Sequence, residues 1–391
     1  MSEHYLVKSF IERNSSVPKH SAHKPSSLAV NTDRAFVACL REHRALSRAA
    51  IATQTGISKP TVSESAQRLL ARELITECAV KDTQTSKRPA VLYEVNKDRG
   101  ISIAIVLEEN RSQLCATDLQ GNIRLLESKA FPKGRSVAQF SDDLVEFIHS
   151  TIEQTGLSLL AIGLSIADPV HPRTGRVVPM PHSPFPTAQH IDFIELLTSK
   201  FQCSLTIDND VNWATLHEQQ TTGLNNFLYV FMGRGIGCGL YFDQTLIRGH
   251  NGMAGEIGYL TLHNGQNLLE SVYTEAFYEL AKNQPEQVHQ SDLADIVKAL
   301  RSVCEITAPQ TIVLGGELSQ NECFNQTLIT TAQAFLPNTS IKTSYSPEAA
   351  SLHGTAHAAH ALALISLGLL DELSASSLLG FYNMIQVKDA V

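Results

Sequence analysis

The stretch FLYVFMGRGIGCGLYFDQTLIRG, residues 227–249, decides the architecture. Its apolar runs FLYVFM, GCGLYF and TLIRG are short enough for strands and are punctuated by glycine-rich and polar turns. The same pattern begins earlier, at Ile101, where ISIAIVL, QLCATDL and NIRLLESKAF are joined by EENRS and QGN. The first triplet leads into a helix over 137–155, the strand LLAIGLSIA, and the strand SLTIDND feeding the helix VNWATLHEQ; the second leads into helices and the strand TIVLGG. Two successive units of three antiparallel strands followed by alternating helices and strands predict a duplicated α/β body, two-lobed with a cleft between the lobes.

Upstream of this body the grammar changes. Residues 1–25, rich in Ser, His, Lys and Pro and without a hydrophobic period, read as an arm. Ala35, Phe36, Cys39 and Leu40 then recur at helical spacing, and SRAAIATQTGISKPTVSESAQRLLARELI (47–75) follows. Ser47 is placed to cap one short helix, Gly56 to make a tight turn, and Ser58 to cap a further helix with Pro60 in its first turn. That is helix-turn-helix spacing, and two β-like stretches, 74–80 and 90–95, flank KDTQTSKRP as a wing. Ser58, Lys59, Thr61 and Ser63 are the side chains expected at base edges, Arg48 and Lys59 at phosphates, and Lys87 and Arg88 at the backbone or minor groove.

Charge supports an anionic partner for this segment. Residues 1–97 hold fifteen Lys and Arg against nine Asp and Glu, whereas the remainder holds sixteen against thirty. With 43% hydrophobic and 18% charged residues the composition is that of a globular chain, and no apolar run approaches the roughly 20 residues of a membrane helix. With no secretory signal legible, a cytoplasmic location is expected. The seven cysteines form no CxC or CxxC pair, which argues for small buried thiols and against a disulfide framework or cysteine zinc site.

GIGCGLYFDQTLIRGHNGMAGEIGY (235–259), IDNDVNW (207–213), IVLGGELS (312–319) and HGTAHAAHAL (353–362) together resemble the ROK family of sugar-responsive repressors, uncharacterised frames and sugar kinases. The 47–75 segment and SKRP resemble the winged helix of the family's repressors, particularly those for N-acetylglucosamine, xylose and glucose uptake. The resemblance spans about residues 30–368. It implies a fold class of α+β multidomain type, an N-terminal winged helix-turn-helix followed by a duplicated, two-lobed, actin-like (hexokinase-like) α/β body. The expected divisions are an arm over 1–25, a DNA-binding domain over 26–97, a first lobe over 98–225, a second over 226–345, and C-terminal helices over 346–391 packing on the body or at a dimer interface.

The resemblance also implies a sugar site made by Asn209, Asp210, Glu256 and Glu270, with Asp210 as the general base if the protein were a kinase. Chemically this suits a polyol, because amides and carboxylates hold hydroxyls directionally. Two departures matter. Tyr259 stands where the family has a histidine, offering a hydroxyl to the sugar, and the cysteine run between Glu256 and Glu270 is absent, so zinc is not expected. In the first hairpin Glu108 and Glu109 stand where a kinase would cradle phosphate, so kinase activity is not expected. His353, His357 and His360 share one helical face, a metal-binding arrangement in principle, though such histidines are more often packed. The implied partners are an operator duplex, a sugar or sugar phosphate, and a second copy of the chain; an apolar tail after Leu370 leaves a protein partner open.

Overall fold

The computed structural model describes residues 27–78, 91–263 and 265–384. The first segment forms α1 (Ser27–His43), β1 (Ala45–Ser47), α2 (Arg48–Thr55), α3 (Lys59–Ala71), β2 (Ile75–Cys78) and β3 (Leu92–Val95). Ser47 caps α2 by accepting from the Ala50 amide, Gly56 ends it at φ 70°, and Ser58 caps α3. The helices bury Phe36, Leu40, Ile51, Val62 and Leu69 against one another. Beneath them lies an antiparallel sheet in the order β1-β3-β2, whose member β1 the sequence pattern did not anticipate. Asp33, 5% exposed, takes both a hydrogen bond from Ser65 and a two-pronged contact from Arg68, at 2.6 and 3.2 Å, so α1 and α3 are fixed by a charged pair as well as by packing.

The next elements are β4 (Ile101–Leu107), β5 (Arg111–Asp118), β6 (Ile123–Ala130), α4 (Val137–Thr155), β7 (Leu159–Ile166), α5 (Phe193–Lys200), β8 (Ser204–Asn209) and α6 (Asp210–Thr222). β4, β5 and β6 form an antiparallel meander, and β7 and β8 extend the sheet in parallel on the other side of β4. Every residue of β4 is buried, as a central strand covered on both faces requires, whereas edge strand β6 alternates. The chain then makes β9 (Phe227–Met232), β10 (Ile236–Phe242), β11 (Thr245–Ile247), α7 (Leu268–Ser271), α8 (Glu275–Asn283), α9 (Gln290–Thr307), β12 (Thr311–Gly315), α10 (Glu322–Phe335) and β13 (Ser340–Thr343). Its sheet runs β11-β10-β9-β12-β13, the same order as β6-β5-β4-β7-β8.

The last segment, α11 (Ala350–Ser366), α12 (Glu372–Ala375) and β14 (Phe381–Asn383), returns to the first sheet. Residues after Leu370 were expected to be helical. They instead end in β14, which pairs antiparallel with β8 and completes its outer edge, and Ala375 and Leu379 are buried in the protein's own core. The expectation of buried thiols fails at Cys323, which is exposed, and at half-buried Cys78. Among the described residues no helix is long and apolar enough to cross a membrane.

α11 is apolar almost all round and lies across β4, β7 and β8 beside α6. The crossing is too close for side chains. A Cβ on Gly354 would lie 2.0 Å from the Trp213 carbonyl oxygen of α6, and one on Gly163 of β7 would lie 2.9 Å from the Thr355 carbonyl oxygen. Trp213 in turn donates its ring N–H to the Leu164 carbonyl at 2.9 Å, joining α6 to β7. Gly354→Ala is therefore expected to lose about 1–3 kcal/mol through overpacking, read from chemical denaturation midpoints.

Candidate ligand site and nucleic-acid interface

The ligand site is built at strand ends. Asn209 closes β8 and caps α6; its Oδ1 accepts from Val211 and Asn212 at 2.9 and 3.3 Å, and its amide nitrogen is aimed at the Ala167 carbonyl, 3.2 Å away. The amide is thus engaged by the fold, and what it does for the site is to fix the residue after it. Asp210 accepts the Val211 amide on Oδ1 at 2.7 Å, while Oδ2 has no hydrogen bond among the described residues. Asp168, just past β7 and 1% exposed, accepts from Ser183 Oγ at 2.6 Å. Glu256 is half-buried at the start of a single 3-10 turn, Ile257–Tyr259, and its carboxylate caps nothing.

These groups share one electrostatic environment. Burial drives Asp210 up to about 7, and Glu256, Glu108 and Asp168 push in the same direction against the Val211 amide. Burial also drives Glu256 to about 7, with Asp168 adding to it, and raises Asp168 despite its hydrogen bond from Ser183. Among the described residues no cation figures in the causes that shift these three carboxyls. The guanidinium of Arg248 is spent on neighbouring Asp208 at 2.6 Å and on the Leu379 carbonyl at 3.0 Å. A cluster of carboxyls that burial holds partly protonated is suited to exchanging hydrogen bonds with hydroxyl groups and hostile to phosphate.

Tyr259 and Glu270 close the site from the polar loop. Glu270 occupies the third position of α7 and completes a capping box with Asn267, which orients its carboxylate. His182, from the long β7–α5 connection, places its Nε2 3.3 Å from Glu270 Oε1, and its backbone amide donates to the Tyr259 hydroxyl at 3.3 Å. Sequence reasoning missed Asp168 and His182. Asp168 had a signal, a carboxylate directly after an apolar strand; His182 had none, because its partners lie 77 and 88 residues away.

At the other end of the chain, Arg48, Ser58 and Lys59 are exposed and Thr61 and Ser63 half-buried along the start of α2 and α3. Three of these are already engaged: Ser58 and Thr61 share a hydroxyl contact of 2.7 Å, and Ser63 donates to the Lys59 carbonyl at 3.1 Å. Arg48 leans over the Tyr93 ring at 5.8 Å. Lys87 and Arg88 lie outside the described residues. The histidine face of α11 divides: His353 meets His217 of α6, ring centres 5.0 Å apart, while His360 is buried beside the β5–β6 turn at Gly121. Burial lowers His217 to about 4 and His360 to about 3, so both are neutral packing groups at physiological pH. Among the described residues, no three His, Cys, Asp or Glu side chains converge as a metal set.

The raised carboxylates have a thermodynamic consequence. A carboxyl that holds its proton more tightly when folded stabilises the protein fully below the unfolded value, about 4, and that stability is lost as pH rises through the folded value, about 7. The unliganded protein is expected to lose stability over this window, and Asp210→Asn to flatten the decline and raise the melting midpoint at pH 8, as thermal unfolding at pH 5 and 8 would read.

Comparison with known proteins relates the chain to a family. Residues 103–271 match the model of the ROK family. The xylose repressor of Bacillus spizizenii is 28% identical over 223 residues, 56% of either chain. The Escherichia coli DNA-binding transcriptional dual regulator NagC is 22% identical over 228 residues, 55% of this chain and 53% of its own. The chain thus spans about half the length of these curated relatives. Among solved structures, a ROK family transcriptional regulator, a homolog of the E. coli MLC protein, aligns with a TM-score of 0.61 over 87% of this chain and 97% of its own at 16% identity. The ROK hexokinase of Thermus thermophilus gives 0.53 over 66% and 96% at 20% identity, so these two likenesses are of fold. Asp168, Asp210 and Glu256 all fall within the matched span, and the chain carries a ROK family domain over residues 103–271.

Proposed function

We propose that this chain is a sugar-responsive, DNA-binding transcriptional regulator, a repressor of carbohydrate uptake or catabolism genes. Its N-terminal unit is a winged helix-turn-helix that presents α3 to the major groove of an operator, with the chain acting as a homodimer. Its body is a duplicated actin-like fold whose two sheets flank the ligand cleft. The names of the relatives, xylose repressor and NagC, support this reading. That burial raises Asp168, Asp210 and Glu256, helped at the last two by like-charged carboxyls and opposed by no cation among the described residues, favours a neutral sugar over a sugar phosphate.

The observation that carries the reading is the placement of α11. Ala350 and Ser351, in its first turn, line a small pocket shared with Asp210, and its far end is held by the N-terminal unit. Arg72, at the C-cap of α3, donates to the Leu367 carbonyl at 2.8 Å; Arg34 of α1 donates to the Gly368 carbonyl at 3.2 Å and pairs with Asp371 at 2.8 Å. Cationic groups on the last carbonyls of a helix are favourable in themselves. Here they also tie α3 to the element that reaches the ligand carboxylates, and a single hydrophobic cluster runs from α1–α3 through α11 to α6. A sugar with different affinity for two placements of α6 and α11 would shift α3 by a coupling of about 1–3 kcal/mol.

A sugar kinase is the second reading, favoured by Asp210, whose value near 7 suits a general base. The phosphate-side turns weigh against it. A Cβ at Gly315 would meet the Tyr229 hydroxyl at 2.0 Å, Glu317 beside it is paired with Lys282 at 2.7 Å and with Tyr278, and Glu108 faces Asp210. Position 234, within the glycine turn, carries an arginine engaged by Glu275 at 2.8 Å. Phosphate would have to displace these pairs to approach.

Fluorescence anisotropy with duplexes from the chain's own upstream region, with and without D-xylose, D-glucose and N-acetylglucosamine, tests the leading reading. One sugar is expected to change the affinity at least fivefold; operator binding insensitive to all sugars, with ATP-dependent phosphorylation lost in Asp210→Asn, would replace it by the kinase. Lys59→Ala is expected to weaken binding and reduce the magnitude of the slope of log K against log salt by about 1. Arg34→Ala with Arg72→Ala is expected to keep both ligands but bring the sugar effect on operator affinity close to unity.

A further inference from the structure

Glu270 faces the cleft with two supports. One is local, the Asn267 amide of its own capping box, 3.4 Å from Oε2. The other comes from elsewhere in the chain, the imidazole of His182, 3.3 Å from Oε1. The His182 ring lies beside Tyr259, with centres 6.2 Å apart and planes at 30°, and its side chain is 47% exposed. Adjacent Ser183 holds Asp168, and Asp168 in turn acts on Asp210 and Glu256. His182 is therefore contiguous with the carboxylate cluster, and part of its ring is open to whatever enters.

We propose that His182 is a sugar-contacting, specificity-determining residue of this site, its imidazole bridging Glu270 and a ligand hydroxyl. The inference rests on the reading of the cleft as a sugar site. Its chemistry follows from the ring's two nitrogens. A neutral imidazole that donates from Nε2 to a carboxylate keeps Nδ1 as an acceptor for a ligand hydroxyl, and a doubly protonated ring donates at both nitrogens. Tyr259 cannot do the same, since its oxygen already accepts the His182 amide and retains one O–H. Asp168, Asp210, Glu256 and Glu270 are acceptors when ionised, so a ring that can also donate changes which hydroxyl pattern the site prefers. His182 belongs to the connection after β7 while Tyr259 and Glu270 follow β11, so its contacts also join the segments of the two sheets on either side of the ligand.

The test is isothermal titration of wild type, His182→Ala, His182→Gln and Asp210→Ala with D-xylose, D-glucose and N-acetylglucosamine, alongside operator binding without sugar. His182→Ala is expected to weaken the preferred sugar tenfold or more and to alter the preference among the three, with sugar-free operator affinity unchanged. His182→Gln, whose amide can both donate to Glu270 and accept from a hydroxyl, is expected to recover part of the loss. Sugar addition should also shift the His182 ring 15N resonances. If Asp210→Ala abolishes binding while His182→Ala binds every sugar as wild type does, the assignment of His182 is overturned and the site stands. If wild type binds none of the sugars, the site reading is overturned and the assignment falls with it.

Discussion

The close contact of α6 with α11 is the constraint on which the remaining geometry depends. Backbone meets backbone there because Gly354 carries no side chain, and the Trp213 carbonyl occupies the space a Cβ would need. Interiors packed this tightly transmit displacement, since neither helix has room to yield alone. α6 carries Asn209 and Asp210 at its start, and α11 passes the Asp210 pocket before ending under Arg34 and Arg72. Asp210 and the N-terminal unit are therefore joined through two packed helices, with no long loop between them.

Electrostatics determines what that linkage can sense. Asp208, beside the site, has an arginine; Asp210, three-dimensionally close to Asp168, Glu256 and Glu108, has none. The difference marks Asp208 as a structural carboxylate held by Arg248. Half-buried Asp210 and Glu256, with no counter-ion among the described residues, hold their protons to about 7, and hydroxyl groups could satisfy them without introducing further charge. Glu270 differs from them: a capping box with Asn267 orients it, and His182 lies 3.3 Å from its Oε1.

Local patterns in the sequence were sufficient for much of this. Alternation and turn chemistry located β4 to β6 and β9 to β11, and Ser47, Gly56 and Ser58 marked the ends of α2 and α3, because each of those signals is complete within a few residues. What could not be read is what depends on distant partners. β1 is three residues long and exists because β3 pairs with it; β14 exists because β8 presents an open edge. The Asp33–Arg68 pair and His182 have no local signature at all, and of the histidines in register on α11, His353 and His360 were separated by what each packs against. At the candidate site Asp210 and Glu256 were named from motif, while the position of Asp168 beside them needed the parallel strand order that brings two strand ends together.

The return of the chain to its first sheet bears on how the protein is made. β4, β7 and β8 are complete by residue 209, yet the helix covering them begins at residue 350 and the strand closing their edge at residue 381. During synthesis a wide apolar surface and an open strand edge must wait for some 140 further residues to emerge, while the second sheet can already form from contiguous sequence. That interval is when self-association would compete with folding, so dependence on chaperones should concentrate in the first sheet and end with the arrival of α11.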